Sequence, residues 1–134
     1  MARILLIIGT LAFASHAWAA FTISSTTPAR NQSAVSPDTD IVVRFSAPPT
    51  SDPLTSVFVH GQFSGRRTFS VTASGNDWTI VVDELSAGSR FFAGEHVYVT
   101  LLASITDGVE TLPAPRTVAF DIKPAAGSAN FNRE

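Results

Sequence analysis

Asp40-Ile41-Val42-Val43-Arg44-Phe45-Ser46 is the stretch on which the reading of this chain turns. Ile41, Val43 and Phe45 fall on one side of an extended backbone, with Val42 and Arg44 on the other, which is the period-two pattern of a strand with one covered face. The same texture recurs at Val57 to His60, Phe69 to Ala73, Trp78 to Val82, Val97 to Leu102 and Thr117 to Ile122, each rich in Val, Ile, Phe, Thr or Tyr. The three-four apolar spacing of an amphipathic helix is sustained nowhere after the first residues. Pro28, Pro37, Pro48-Pro49, Gly61, Gly65, Gly88, Gly94, Asp107-Gly108, Pro113 and Pro115 punctuate the runs, each fixing φ or permitting the positive φ that turns require. Short strands so divided predict an all-β antiparallel sandwich or barrel. At Ser74-Gly75-Asn76-Asp77 a hairpin is expected, with Phe69-Val71-Ala73 and Trp78-Ile80-Val82 facing the core and the four-residue link long enough for a type I turn. Ser51-Asp52-Pro53-Leu54 reads as an N-cap followed by Pro at the first position of a single helical turn.

The chain has 134 residues, 45% apolar and 15% charged, which describes one globular domain and not a disordered chain. A formal net charge of -2 lacks the footprint of a nucleic-acid binder. The absence of Cys excludes thiol nucleophiles, disulfides and Cys-ligated metal. At the N-terminus, Arg3, the apolar run Ile4 to Ile8 continuing from Leu11 to Ala14, and the triplet Ala17-Trp18-Ala19 have the three parts of a secretory signal, cleaved after Ala19. The alternative, a membrane anchor, needs roughly 20 apolar residues, whereas Gly9, Thr10, Ser15 and His16 interrupt this run. The expected organisation is a signal peptide over residues 1–19, a β-sandwich over 20–123, and a flexible tail or linker over 124–134, small and polar with an isolated Phe131. A secreted or cell-envelope location follows, with no membrane insertion after cleavage, and an exported domain without Cys suits a bacterial envelope.

Several further stretches carry a resemblance. Thr27-Pro28-Ala29-Arg30-Asn31, the strand entrance Pro37-Asp38-Thr39-Asp40 leading to Phe45-Ser46, Gly94-Glu95-His96-Val97-Tyr98-Val99-Thr100-Leu101, Ser104-Ile105-Thr106-Asp107 and Thr117-Val118-Ala119-Phe120-Asp121 follow one another in order. From Ser25 to Ile122 the chain resembles the bacterial Ig-like domains of the surface-layer, SbsA-like type, found in secreted and cell-surface proteins and often placed ahead of FG-GAP/VCBS-like repeats. The resemblance implies an immunoglobulin-like sandwich of about seven strands. Two positions depart from it. Val97 stands where the family usually has tyrosine, so that Tyr98 should face the other way, and Gly108-Val109-Glu110-Thr111 replaces the usual turn.

Reactive chemistry is sparse. His60 ends one strand and His96 begins another, positions usual for solvent-facing polar residues, and Gly61-Gln62-Phe63-Ser64-Gly65 has the wrong spacing for a nucleophile elbow. Asp38 with Asp40, and Asp107 with Glu110, offer oxygens to calcium but fall short of the six or more ligands it takes. Asp38 is expected to accept turn hydrogen bonds after Pro37. Asp83 and Glu84 are chain neighbours pointing to opposite faces, a poor glycosidase pair. No catalytic residue, cofactor or metal is assigned. The candidate interaction surface comprises Phe91, Phe92, Phe63, Arg66 and Arg67. Of Phe91 and Phe92, one ring should enter the core while the other lies under a loop or stays exposed. Arg66-Arg67 either forms a small basic-aromatic patch or guards a sheet edge. Trp78 is expected in the core. Expected partners are neighbouring domains or envelope and surface proteins, with glycans as the further candidate. Two functions fit: a noncatalytic spacer or adhesion and assembly module, and a small carbohydrate- or peptide-binding module using loop aromatics or an edge strand.

Overall fold

The computed structural model describes residues 19–127. Residues 1–18 of the expected signal peptide and residues 128–134 of the expected tail lie outside the described residues. Nine strands and one helical turn follow in order: β1 (Ile23–Thr27), β2 (Gln32–Val35), β3 (Ile41–Phe45), α1 (Pro53–Ser56), β4 (Val57–Gly61), β5 (Gly65–Arg67), β6 (Phe69–Ser74), β7 (Asp77–Val82), β8 (His96–Leu101) and β9 (Arg116–Ile122). They make a four-stranded sheet, β1-β3-β7-β6, and a five-stranded sheet, β2-β9-β8-β4-β5. The paired strands run antiparallel, save that β2 lies parallel to β9.

The alternating runs became β3, β4, β6, β7, β8 and β9. The strands beyond the expected set, β1, β2 and β5, sit at sheet edges. Their sequences, ISSTT, QSAV and GRR, have little apolar alternation because an edge strand is held chiefly by backbone pairing. The β6–β7 hairpin is tighter than the expected link. Ser74 pairs with Asp77, so the loop is Gly75-Asn76. Gly75 has φ +57° while Asn76 is not in the left-handed region, the pattern of a type II′ turn whose twist matches the strands. Asp52 caps α1 as expected, its side chain accepting from Leu54 N at 3.0 Å ahead of Pro53.

Ile41, Val43 and Phe45 point inward with Trp78, Ile80 and Val82 from β7, and meet Val57, Val59, Val97, Val99, Leu101 and Phe120 from the other sheet. Phe21 joins them, stacking on Phe45 at 5.5 Å, and the Phe45 ring meets Trp78 edge-on at 5.0 Å. Burial of each such side chain contributes about 1.5–3 kcal/mol.

Residues 65–74 run almost continuously, pairing first with β4 and then, past Thr68, with β7 in the opposite sheet. About 3.3 Å per residue makes that run roughly 30 Å long. The 61–65 hairpin and the Gly75-Asn76 turn therefore lie at opposite ends of the sandwich. Chain entry is at the second end, where Ser46 Oγ donates to Ala20 O and Phe45 N donates to Asn76 O at 2.9 Å. Chain exit is at the first, where Gly94 N donates to Lys123 O at 3.1 Å and Ile122 N to Glu95 O at 2.8 Å.

Candidate functional site

Two large apolar rings at the exit end remain in solvent, Phe63 at 63% exposure and Phe92 at 42%. Phe63 sits in the β4–β5 hairpin and Phe92 in the loop before β8, and one buried side chain ties those loops together. Glu95, 0% exposed, accepts from Phe63 N at 2.9 Å and Ser64 N at 2.6 Å through Oε1, and from Phe92 N at 3.0 Å through Oε2. Burial by itself would raise the Glu95 pKa, but the donors of Ser64, Phe92 and Phe63 outweigh it and hold the carboxyl below its ordinary value. The buried Ser64 hydroxyl lies in the same cradle without a hydrogen bond of good geometry, and acts on the charge only as a nearby dipole.

The carboxylate fits only because residue 61 lacks a side chain. A Cβ on Gly61 would stand 2.1 Å from Glu95 Oε1 and 2.2 Å from Ser64 Oγ. Since two backbone amides hold that oxygen, Gly61→Ala is expected to cost about 2–3 kcal/mol as an overpacking defect, read as a lower denaturant midpoint at unchanged slope. An alanine variant as stable as the parent would show that the cradle yields freely.

Glu95 also sets a pH dependence. Its folded pKa lies below the ordinary 4.5, so the unfolded chain binds the proton first, and stability present above about pH 4.5 is lost as pH falls through the folded value. Asp77, hydrogen-bonded to Arg44, and Asp107, which accepts from Glu110 N and Val109 N, shift the same way. Melting temperature is expected to fall between pH 5 and 3, and Glu95→Gln to flatten that limb; equal slopes in both proteins would remove Glu95 as its source.

The candidate interaction residues do not form one patch. Phe91 is 0% exposed and packs edge-on against Phe120 at 6.1 Å, so it leaves the candidate surface and joins the core. The split between Phe91 and Phe92 occurs as expected, on an irregular loop instead of a strand. Arg66 and Arg67 lie on edge strand β5. The Arg66 guanidinium covers the Phe58 ring at 4.9 Å, while Arg67 is half-buried and donates to Asp83 O. They suit the edge-guard reading better than a basic patch. Trp78 is in the core at 1% exposure.

Among the described residues, neither His60 nor His96 is hydrogen-bonded to a serine or threonine hydroxyl. His60, on the outer face of the five-stranded sheet, lies across from Tyr98 on β8 and Arg66 on β5. His96 pairs with Asp121 on β9 through Nδ1 and touches Tyr98 edge-on. Val97 points inward and Tyr98 outward, as their alternation requires. The expected oxygen clusters are engaged elsewhere: Asp40 binds Arg90, and Asp107 Oδ1 accepts from Val109 N and Glu110 N in a local turn. At the turn after Pro37, Ser36 accepts the hydrogen bonds expected of Asp38, through Oγ from Asp38 N and through its carbonyl from Thr39 N. Among the described residues no group of three or more His, Asp or Glu is placed to hold a metal, and no helix is long and apolar enough to cross a membrane.

The Glu95 cradle was not foreseen. Its one sequence signal was Gly61 at the end of an alternating strand, where a glycine marks close approach of other atoms.

Two face-packed sheets, crossed by the run from β5 into β6 and closed by a parallel β2–β9 pair, define an immunoglobulin-like sandwich module. Residues 18–132 match the model of the bacterial Ig-like domain, and the chain belongs to that family. The N-terminal part of the bacterial S-layer protein SbsC has a similar fold, with a TM-score of 0.53 and 15% identity over 78% of this chain and 24% of that one. CopC from Methylosinus trichosporium OB3b is similar over 78% of this chain and 94% of its own, with a TM-score of 0.50 and 12% identity. This chain thus spans about a quarter of the SbsC N-terminal part. At such identities the likeness is one of fold. No curated protein matches the chain in sequence.

Proposed function

We propose that this protein is an exported, noncatalytic Ig-like module that serves as a spacer or assembly element of a bacterial surface or secreted protein. The observation that carries the reading is the placement of entry and exit. The chain arrives beside Ser46 and Asn76 and leaves beside Gly94, at opposite ends of the sandwich. Modules joined through such ends extend a polypeptide by their full length instead of folding back on it. The core closes on its own side chains, and the exit end is stiffened by Glu95, which joins two loops to the body. Phe63 and Phe92 are then the apolar groups a neighbouring module would meet.

Small-angle scattering on one copy and on two copies joined through residues 124–134 tests this. The expected result is a maximum dimension larger by about 30 Å or more, from the length of an extended ten-residue run. A tandem no longer than the single copy would overturn the spacer reading.

A further inference from the structure

We propose that the seam between β1 and the first half of β9 is a docking groove for an extended acidic segment of a partner protein, which adds to the open edge of β1 while Arg30 and Arg116 hold its carboxylates. This goes beyond spacing and does not depend on it.

The argument begins with backbone groups that have no strand partner. β1 pairs with β3 and is otherwise an edge of its sheet. Thr22 turns both backbone groups toward Ser46, donating to its Oγ and accepting from its N at 2.9 Å. Alternation then turns the N–H and C=O of Ile23 the other way. A bulge between Ile23 and Ser25 resets the phase, so that Ser25 and Thr27 face β3 and Thr26 faces outward. On β9, Asn31 N donates to Ala119 O at 2.7 Å and Lys123 N to Val35 O at 2.8 Å, so odd-numbered residues face the β2 side. β2, with Asn31 just ahead of it, covers that side only from Ala119 to Lys123. Thr117 therefore presents its N–H and C=O with no strand beside them among the described residues. Two open edges border one seam, the feature that recruits a further strand.

The seam also has shape and charge. Its larger hollow, about 170 Å³, is lined by Ile23, Leu112, Pro113 and Pro115, and a smaller one of about 50 Å³ continues past Val118. Arg116 lines both hollows and Arg30 the second, with no acidic residue in either lining. The other arginines among the described residues are engaged, Arg44 by Asp77, Arg90 by Asp40, Arg67 by Asp83 O and Arg66 over Phe58. Arg30 and Arg116 make no ion pair among the described residues. Two exposed guanidinium groups beside open strand edges, in a chain of formal charge -2, favour a negatively charged extended segment, since Arg grips carboxylates in a bidentate fork.

The test uses a fluorescein-labelled peptide alternating Asp with Val and Thr, and the same peptide with Lys in place of Asp. Anisotropy titration of the parent is expected to show binding of the Asp peptide only. In 15N spectra the shifts should centre on Ile23, Thr26 and Thr117. Arg30→Glu and Arg116→Glu, at exposed positions, should each weaken binding about tenfold or more while leaving the melting temperature unchanged, and the double variant should bind the Lys peptide instead. Failure of the Asp peptide to bind, equal binding of both peptides, or shifts centred on Phe63 and Phe92 would overturn the proposal. So would a parent that dimerises, with both reversals abolishing the dimer, because a second copy would then occupy the seam. None of these outcomes alters the tandem scattering result, so the two readings fail separately.

Discussion

Glu95→Ala is expected to destabilise the protein by about 3–5 kcal/mol, the cost of breaking a buried charged network and leaving its partners unpaired. The amides of Phe63, Ser64 and Phe92 would lose their shared acceptor. Of a typical total of about 5–15 kcal/mol, that is a fifth or more. The loss should be concentrated at the exit end. Hydrogen exchange is expected to accelerate first at residues 62–65 and 91–95, ahead of β3 and β7. Glu95→Gln keeps an oxygen for Phe63 and Ser64 but can turn an amide NH2 toward Phe92 N, so an intermediate loss is expected. If the alanine variant melts within a degree of the parent, the carboxylate does not hold the loops.

Trp78→Ala is the second large effect, at about 3–5 kcal/mol. The indole is 1% exposed, meets the Phe45 ring at 5.0 Å, and through it the Phe21 ring. Its removal opens a void between the sheets that β3 and β7, paired residue for residue from Ile41 with Ile80 to Arg44 with Asp77, cannot close without losing register. Chemical denaturation should show a lower midpoint. Fluorescence provides a check on the parent: emission from Trp78 should be blue-shifted and unchanged by glycans, because no ligand reaches a ring buried in the core. A glycan-dependent shift would reinstate the carbohydrate-binding alternative through an aromatic platform.

The two effects differ in how far they could be foreseen. Trp78 lies in an alternating strand, and alternation alone assigns it to the core. Glu95 lies one residue before β8 and reads as an exposed loop carboxylate, the normal fate of Glu. It is buried because Gly61 and the two loops converge around it, and two of the three amides that satisfy it, those of Phe63 and Ser64, are about thirty positions away in the chain. The same distinction separates Phe91 from Phe92, since alternation says that the rings part company and only packing against Phe120 says which enters the core.

What this amino-acid sequence determined by itself was the β character of the chain, the inward faces of its six alternating strands, the capped turn at Pro53 and the position of the main hairpin. Those features are local or periodic, set by side-chain type, by φ preferences and by the apolar pattern along a few residues. Tertiary structure alone decided that β1, β2 and β5 pair at the edges, that Glu95 is buried, that the chain enters and leaves at opposite ends, and that two free arginines face one seam. Each of these rests on backbone hydrogen bonds or contacts between distant segments, which depend on where the sheets close and leave no periodic mark in the sequence.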